Sequence, residues 1–196
     1  MISEVKQKAL KEDVPIIKDG GLIFLLDLVK EKKFKNILEL GTAVGYSAMN
    51  MAKLDKNIHI DTIEKNEDMY KQAIINIKNE GLDNQIDVFF MPIEEYITDK
   101  KYDFIFVDAA KAQYMKYTNM FIDNLSDNGV FIYDNMVFHG LVYNVDTIKN
   151  RNTRSLVRKI ISFLEKMRND GRFDIIFYED VGDGILMASR RKSIGS

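Results

Sequence analysis

Two carboxylates, each at the end of an apolar run, carry the chemistry open to this chain. Phe104-Ile105-Phe106-Val107 stops at Asp108, and Val130-Phe131-Ile132-Tyr133 stops at Asp134, followed at once by Asn135. Runs this apolar and this rich in β-branched and aromatic residues read as strands buried on both faces, and ligands of open α/β sheets collect at the carboxyl ends of such strands. Two neighbouring strands ending in Asp bring oxygen donors together. With the Asn135 amide oxygen, the set suits a hard divalent cation such as magnesium. A single Asp in this position also serves to cap a helix or open a turn; a pair of them beside a glycine turn points to a site.

That glycine turn is Glu39-Leu40-Gly41-Thr42-Ala43-Val44-Gly45, between an expected strand and an expected helix. Glycine lets a backbone turn approach a ligand closely. The spacing is neither G-x-G-x-x-G nor G-x-x-x-x-G-K-[ST], so it supports neither a bound pyrophosphate nor a bound triphosphate. The next strand ends in Glu64, where a carboxylate can accept hydrogen bonds from both ribose hydroxyls of a nucleoside.

The surrounding pattern supplies the scaffold. Residues 2 to 12 are helix-compatible, and Asp13-Val14-Pro15 interrupts them because proline disfavours helix at the residue before it. A second helix starts near Asp19. Strands are then expected at 36–41, 58–64, 85–90, 102–108 and up to Asp134, with helices at 46–54, 67–79 and 111–125 between them. The alternation predicts a parallel sheet with helices on both faces. After a long basic amphipathic helix at 151–167, strands at 173–178 and 185–189 flank the turn Asp180 to Gly184, which predicts an antiparallel hairpin. Lys192 to Ser196 are expected to be loose.

Composition narrows the class. The chain has 196 residues, 46% of them apolar, and 28 basic against 30 acidic side chains. One domain over 1–196 is expected, with covering helices to residue 35 and a core over 36–191. Cysteine is absent, which excludes disulfides and thiolate metal ligands. Nothing reads as a signal peptide or a membrane span, so a cytoplasmic protein with no membrane partner is expected.

These residues resemble the metal-dependent O-methyltransferases of the catechol and caffeoyl-CoA type. The matches are Val14-Pro15-Ile16-Ile17, Glu39 through Ser47, Val107-Asp108-Ala109, Asp134-Asn135, His139-Gly140 and Gly182-Asp183-Gly184. The resemblance implies a Rossmann-like class I methyltransferase: an α/β fold with a seven-stranded, mostly parallel sheet and a C-terminal antiparallel hairpin. It implies S-adenosylmethionine as cofactor, with Val14, Glu39, Gly41, Tyr46, Ser47, Glu64, Ile93 and Asp108 around it. It also implies Asp108, Asp134 and Asn135 as ligands of magnesium or another divalent cation, Lys111 as catalytic base, and a homodimer. Met91-Pro92-Ile93 departs from the family's small polar turn near the adenine, leaving Ile93 to pack on the ring.

Within the family the compact length and the basic helix are most similar to the bacterial tRNA 5-hydroxyuridine methyltransferases. From Lys149 to Arg172 eight basic residues face two acidic ones, Glu165 and Asp170. A stripe of net +6 can neutralise phosphates, although a basic helix can equally be a solvated face. A small catechol-like or acyl-CoA phenolic acceptor is the alternative to tRNA. His59 and His139 lie too far apart in sequence to suggest a histidine metal site, although His139 could edge the substrate pocket.

Overall fold

The computed structural model describes residues 2–191; the terminal stretch expected to be loose lies outside them. Helices α1 (Ile2–Lys11) and α2 (Asp19–Lys32) precede the alternating part. There β1 (Asn36–Leu40), α3 (Tyr46–Ala52), β2 (His59–Glu64), α4 (Glu67–Asn79), β3 (Ile86–Phe90), β4 (Tyr102–Val107), α5 (Tyr114–Phe121) and β5 (Leu125–Tyr133) follow in turn. The chain closes with α6 (Arg151–Arg168), β6 (Phe173–Tyr178) and β7 (Ile185–Arg190).

The seven strands form one sheet in the order β3-β2-β1-β4-β5-β7-β6. Strands β1 to β5 pair in parallel, while β7 runs antiparallel to both β5 and β6. Because successive side chains point to opposite faces of a strand, each apolar run feeds two cores. Ile37, Phe104, Phe106, Val130 and Ile132 pack on the side of α1 to α4. Leu38, Ile105, Val107, Phe131 and Tyr133 pack on the side of α5 and α6. This double burial is why the strands read as continuous apolar runs rather than as alternation.

The register places the chemistry. Ile63, Leu40, Val107 and Tyr133 stand abreast on β2, β1, β4 and β5. The residues that follow them, Glu64, Gly41, Asp108 and Asp134, therefore form one row across four strand ends, with neighbouring strands about 4.8 Å apart. Ladder hydrogen bonds hold the row: Gly41 N–H donates to the Ile63 carbonyl at 3.2 Å, and Asp108 N–H to the Leu40 carbonyl at 3.0 Å.

The expected helix at 111–125 is shorter than its pattern. Lys111–Gln113 form a 3₁₀ turn, α5 covers Tyr114–Phe121, and Leu125 already pairs with Tyr102 in the sheet. Sheet pairing wins at the C-terminal end, where Tyr102 N–H donates to the Asn124 carbonyl at 2.8 Å. At the other end the Tyr114 hydroxyl donates to the Asp134 carbonyl at 3.0 Å, so this helix is anchored to the second metal-candidate strand. Helix α6 runs from the sheet's carboxyl edge to its opposite edge, since it joins the end of β5 to the start of the parallel strand β6. At 1.5 Å per residue it spans about 27 Å, and it packs against the Lys111–Gln113 turn.

Candidate active site

A cavity of about 570 Å³ opens above the row of strand ends. Val14, Gly41, Tyr46, Ser47, Glu64, Ile93, Asp108, Lys111 and Asn135 line it. Glu39 and Asp134 do not reach its surface. Glu39 lies completely buried beneath the cavity floor, and Asp134 is 2% exposed. Thr42, Ala43, Asn66, Met69, Glu94 and Tyr117 also line the wall, and residue-type reasoning did not single them out. Thr42 and Ala43 fall inside the glycine turn, which was the only available signal for them.

Gly41 shows why the turn needs glycine. Its φ is 107°, and a Cβ there would stand 2.5 Å from the Asp108 carbonyl oxygen, a contact no side chain tolerates. The turn thus lies flat against the end of β4, leaving the space above it open. Ala43 N–H and Asn66 N–H donate to the two oxygens of Glu64, at 2.9 and 2.8 Å. These bonds fix the carboxylate in the wall while leaving lone pairs for two hydroxyls of a ligand.

Under the floor, Ser47 and Thr62 donate hydroxyl hydrogen bonds to Glu39, the latter at 2.6 Å. Burial pushes the Glu39 carboxyl up to about 7 from 4.5, against the pull of those two hydroxyls. The folded protein therefore holds this proton more tightly than the unfolded chain does. The associated stability is fully present below the unfolded value of 4.5 and is lost as pH rises through 7. Glu39→Gln removes that loss. Its unfolding free energy is expected to fall less than the parent's between pH 5 and 8.5, by up to about 3 kcal/mol. Urea melts across that range check the point, and parallel curves for the two proteins would contradict it.

Asp108 and Asp134 fit a dication. They sit side by side because Val107 and Tyr133 are register partners. Asp108 is reachable from the cavity yet deep in the protein; burial first, and the neighbouring Asp134 charge second, push its carboxyl up to about 8. Burial raises Asp134 to about 6, opposed by the Asn135 N–H that donates to its Oδ1 at 2.7 Å. Two buried carboxylates that resist ionising together are what a hard cation relieves. Asn135, which lines the same cavity, offers an amide oxygen beside them; among the described residues no group of three or more His, Cys, Asp or Glu is arranged to hold a metal. Asn135 adopts the left-handed conformation, with φ of 61°. Lys111 lies close enough to lower both carboxyls, with its Nζ 5.8 Å from the centre of the Phe138 ring. His139 is exposed and lies outside the cavity wall.

The chain matches the O-methyltransferase family over residues 2–191. It is 34% identical over 179 residues to a caffeoyl-CoA O-methyltransferase of Medicago sativa, an alignment spanning 86% of this chain and 72% of that one. Among solved structures, one described as a putative caffeoyl-CoA O-methyltransferase from Staphylococcus aureus is 33% identical, with a TM-score of 0.93 over 97% of this chain and 92% of that one. An O-methyltransferase from Bacillus cereus, solved with S-adenosylhomocysteine, is 27% identical, with a TM-score of 0.82 over 97% of this chain and 90% of that one. Sheet order, the glycine turn beneath the cavity and these relatives agree, and the chain belongs to the S-adenosylmethionine-dependent O-methyltransferase family.

Proposed function

We propose that the protein methylates the 5-hydroxyl of uridine in tRNA, giving 5-methoxyuridine, with magnesium or another divalent cation held by Asp108, Asp134 and Asn135. When bound, the cation supplies Lewis-acid stabilisation of an oxyanion, and S-adenosylmethionine supplies the methyl group. Gly41, Tyr46, Ser47, Glu64 and Ile93 form the cofactor half of the cavity, with Val14 at its edge. Lys111, on the acceptor side, acts in its neutral amine form, taking the hydroxyl proton onto Nζ and becoming the ammonium. Asp108 spans both halves, since it stands in the row with Gly41 and Glu64 as well as with Asp134. A 5-hydroxyuridine offers its hydroxyl beside the O4 carbonyl, a chelating pair suited to this donor set.

The observation that favours tRNA is the placement of α6. Its first turns, with Arg151, Arg154 and Arg158, lie at the sheet edge that carries the cavity, and the helix packs on the turn holding Lys111. Lys166, Arg168 and Arg172 lie toward the far edge, and Arg172 is committed to Asp170 and Asn119. The first part of the basic stretch therefore lies nearest an acceptor nucleotide's neighbours, with Arg158 also 3.4 Å from Asp146. Changing Arg151, Arg154 and Arg158 together to Glu is expected to raise the KM for tRNA at least about tenfold and to flatten its salt dependence. Unchanged KM in a steady-state assay would sink the tRNA reading.

A second reading, a small catechol-like or acyl-CoA phenolic acceptor, is favoured by the relatives' caffeoyl-CoA names. A catechol presents the same chelating pair. A homodimer in the cytoplasm completes the proposal; among the described residues no helix is long and apolar enough to cross a membrane. The deciding experiment incubates the purified protein with labelled S-adenosylmethionine and either hydroxyuridine-containing tRNA or a catechol panel, with and without chelator. Chelator-sensitive label in tRNA is the expected result, and label in catechols alone would overturn it.

A further inference from the structure

The turn between β6 and β7 buries a carboxylate that the site above leaves without a task. Asp183 retains 5% of its exposure and is flanked by Gly182 and Gly184, both at positive φ. Neither glycine has room for a side chain. A Cβ at Gly182 would meet the Gly21 nitrogen at 3.1 Å, and one at Gly184 would meet the Val137 nitrogen at 2.7 Å. The turn is wedged between the start of α2 and the segment that follows Asp134-Asn135.

It grips that segment in three places. Met136 N–H donates to the Gly184 carbonyl at 2.9 Å, and Val137 N–H to the Asp183 carbonyl at 2.8 Å. His139 N–H donates to Asp183 Oδ1 at 2.9 Å. Lys18 Nζ stands 3.3 Å from the same oxygen, and His139 Nδ1 3.6 Å from Oδ2, which has no hydrogen-bond partner. The gripped segment is unusual in its backbone: Asn135, Phe138 and His139 have φ of 61°, 48° and 57°, followed by Gly140 at 80°. Non-glycine residues hold such angles only where their surroundings over-determine them. The turn also abuts Asp134, since a Cβ on Gly182 would lie 4.0 Å from Asp134 Oδ1.

We propose that Asp183 is a positioning residue for methyl transfer: its carboxylate pins the His139 N–H, completing the hold that the turn's two carbonyls have on Met136 and Val137, and adds negative charge behind Asp134, so that the cation donors and Phe138 stand ready before ligands arrive. The inference rests on the metal-site reading above. Groups beyond the direct ligands commonly set ligand orientation and affinity. Asp183 acts through Asp134, Asn135 and Phe138 and needs no contact with substrate.

Two variants separate clamp from charge. Asp183→Asn keeps an oxygen for the His139 N–H and removes the charge; Asp183→Ala removes both. Mn2+ binding, read from the electron paramagnetic resonance of the free ion, is expected to weaken severalfold in Asp183→Asn and at least about tenfold in Asp183→Ala. S-adenosylhomocysteine affinity by calorimetry should stay within about twofold in both. Peptides covering 135–140 should exchange amide hydrogens faster in Asp183→Ala than in Asp183→Asn or the parent. If Asp183→Ala does not fold, Asp183→Asn decides the charge effect alone. Wild-type Mn2+ affinity in both variants, or equal losses of Mn2+ and S-adenosylhomocysteine affinity, would overturn the inference. Should the parent bind no Mn2+, the metal reading fails, and hydrogen exchange judges the clamp: unchanged exchange in both variants overturns it.

Discussion

Replacing Asp134 with Asn is expected to lower turnover by at least about 10³-fold, equivalent to some 4 kcal/mol of transition-state stabilisation, while the protein becomes no less stable. The two effects separate because Asp134 is buried, which disfavours its charged form. Its pKa is raised to about 6 from 3.8, so at pH 7.5 the folded protein holds it ionised at a cost the unfolded chain does not bear. That loss of stability sets in as pH rises from 3.8 through 6. An Asn removes the charge and keeps an oxygen to accept the Asn135 N–H. In the absence of metal, Asp134→Asn should therefore unfold at a temperature equal to or above the parent's at pH 7.5, with a gain of up to about 3 kcal/mol. Millimolar Mg2+ or Mn2+ should raise the parent's melting temperature and leave the variant's unmoved. S-adenosylhomocysteine should bind both alike. Thermal melts with and without metal, together with calorimetry, test this; a variant that keeps its metal-dependent shift would remove Asp134 from the metal site. Loss of activity with gain of stability is the signature of a strained functional residue.

Most of this site was legible because sheet geometry turns sequence pattern into position. Four runs end in Glu64, Gly41, Asp108 and Asp134, and the parallel register aligns those ends into one row. Strand assignment suggested the two neighbouring Asp-ended strands; the four-member row needs the strand order as well. What the pattern left hidden depends on contacts between segments distant in sequence. Glu39 and Ser47 sit in one motif, but only packing shows Glu39 as a buried floor residue bonded to Thr62 rather than part of the wall. Met69 and Tyr117 fall within helices, and a cavity facing an apolar stripe leaves no mark on helical periodicity. The helix after Lys111 shortened for the same reason: pairing between Tyr102 and Leu125 decided its end, and no local propensity records that pairing. Asp183 lies inside a matched motif, yet the value of its burial appears only when Gly21 and Val137 are seen on either side.

Lys111→Ala is expected to lower turnover by about 10² to 10⁴-fold, the usual worth of a positioned general base, with little change in cofactor affinity. Lys111 belongs to a 3₁₀ turn held between Ala110 and Tyr114, on the acceptor side of Asp108. Its ammonium faces the Phe138 ring, and its charge lowers the pKa of both candidate metal carboxylates. Removing that positive charge has a second consequence. Without it, Asp108 and Asp134 repel with less compensation in a poorly solvated site, so metal should bind the Ala variant at least as tightly as the parent. A lysine that only supports structure would instead lose metal, cofactor and stability together. Lys111→Arg sharpens the test: it preserves the charge and hence the carboxylate balance, but arginine cannot give up its proton to act as a base. Both variants should therefore show similar, large losses in kcat with S-adenosylhomocysteine affinity intact. Recovery of activity in Lys111→Arg would recast Lys111 as an electrostatic partner of Asp108 and Asp134, and leave proton removal to solvent.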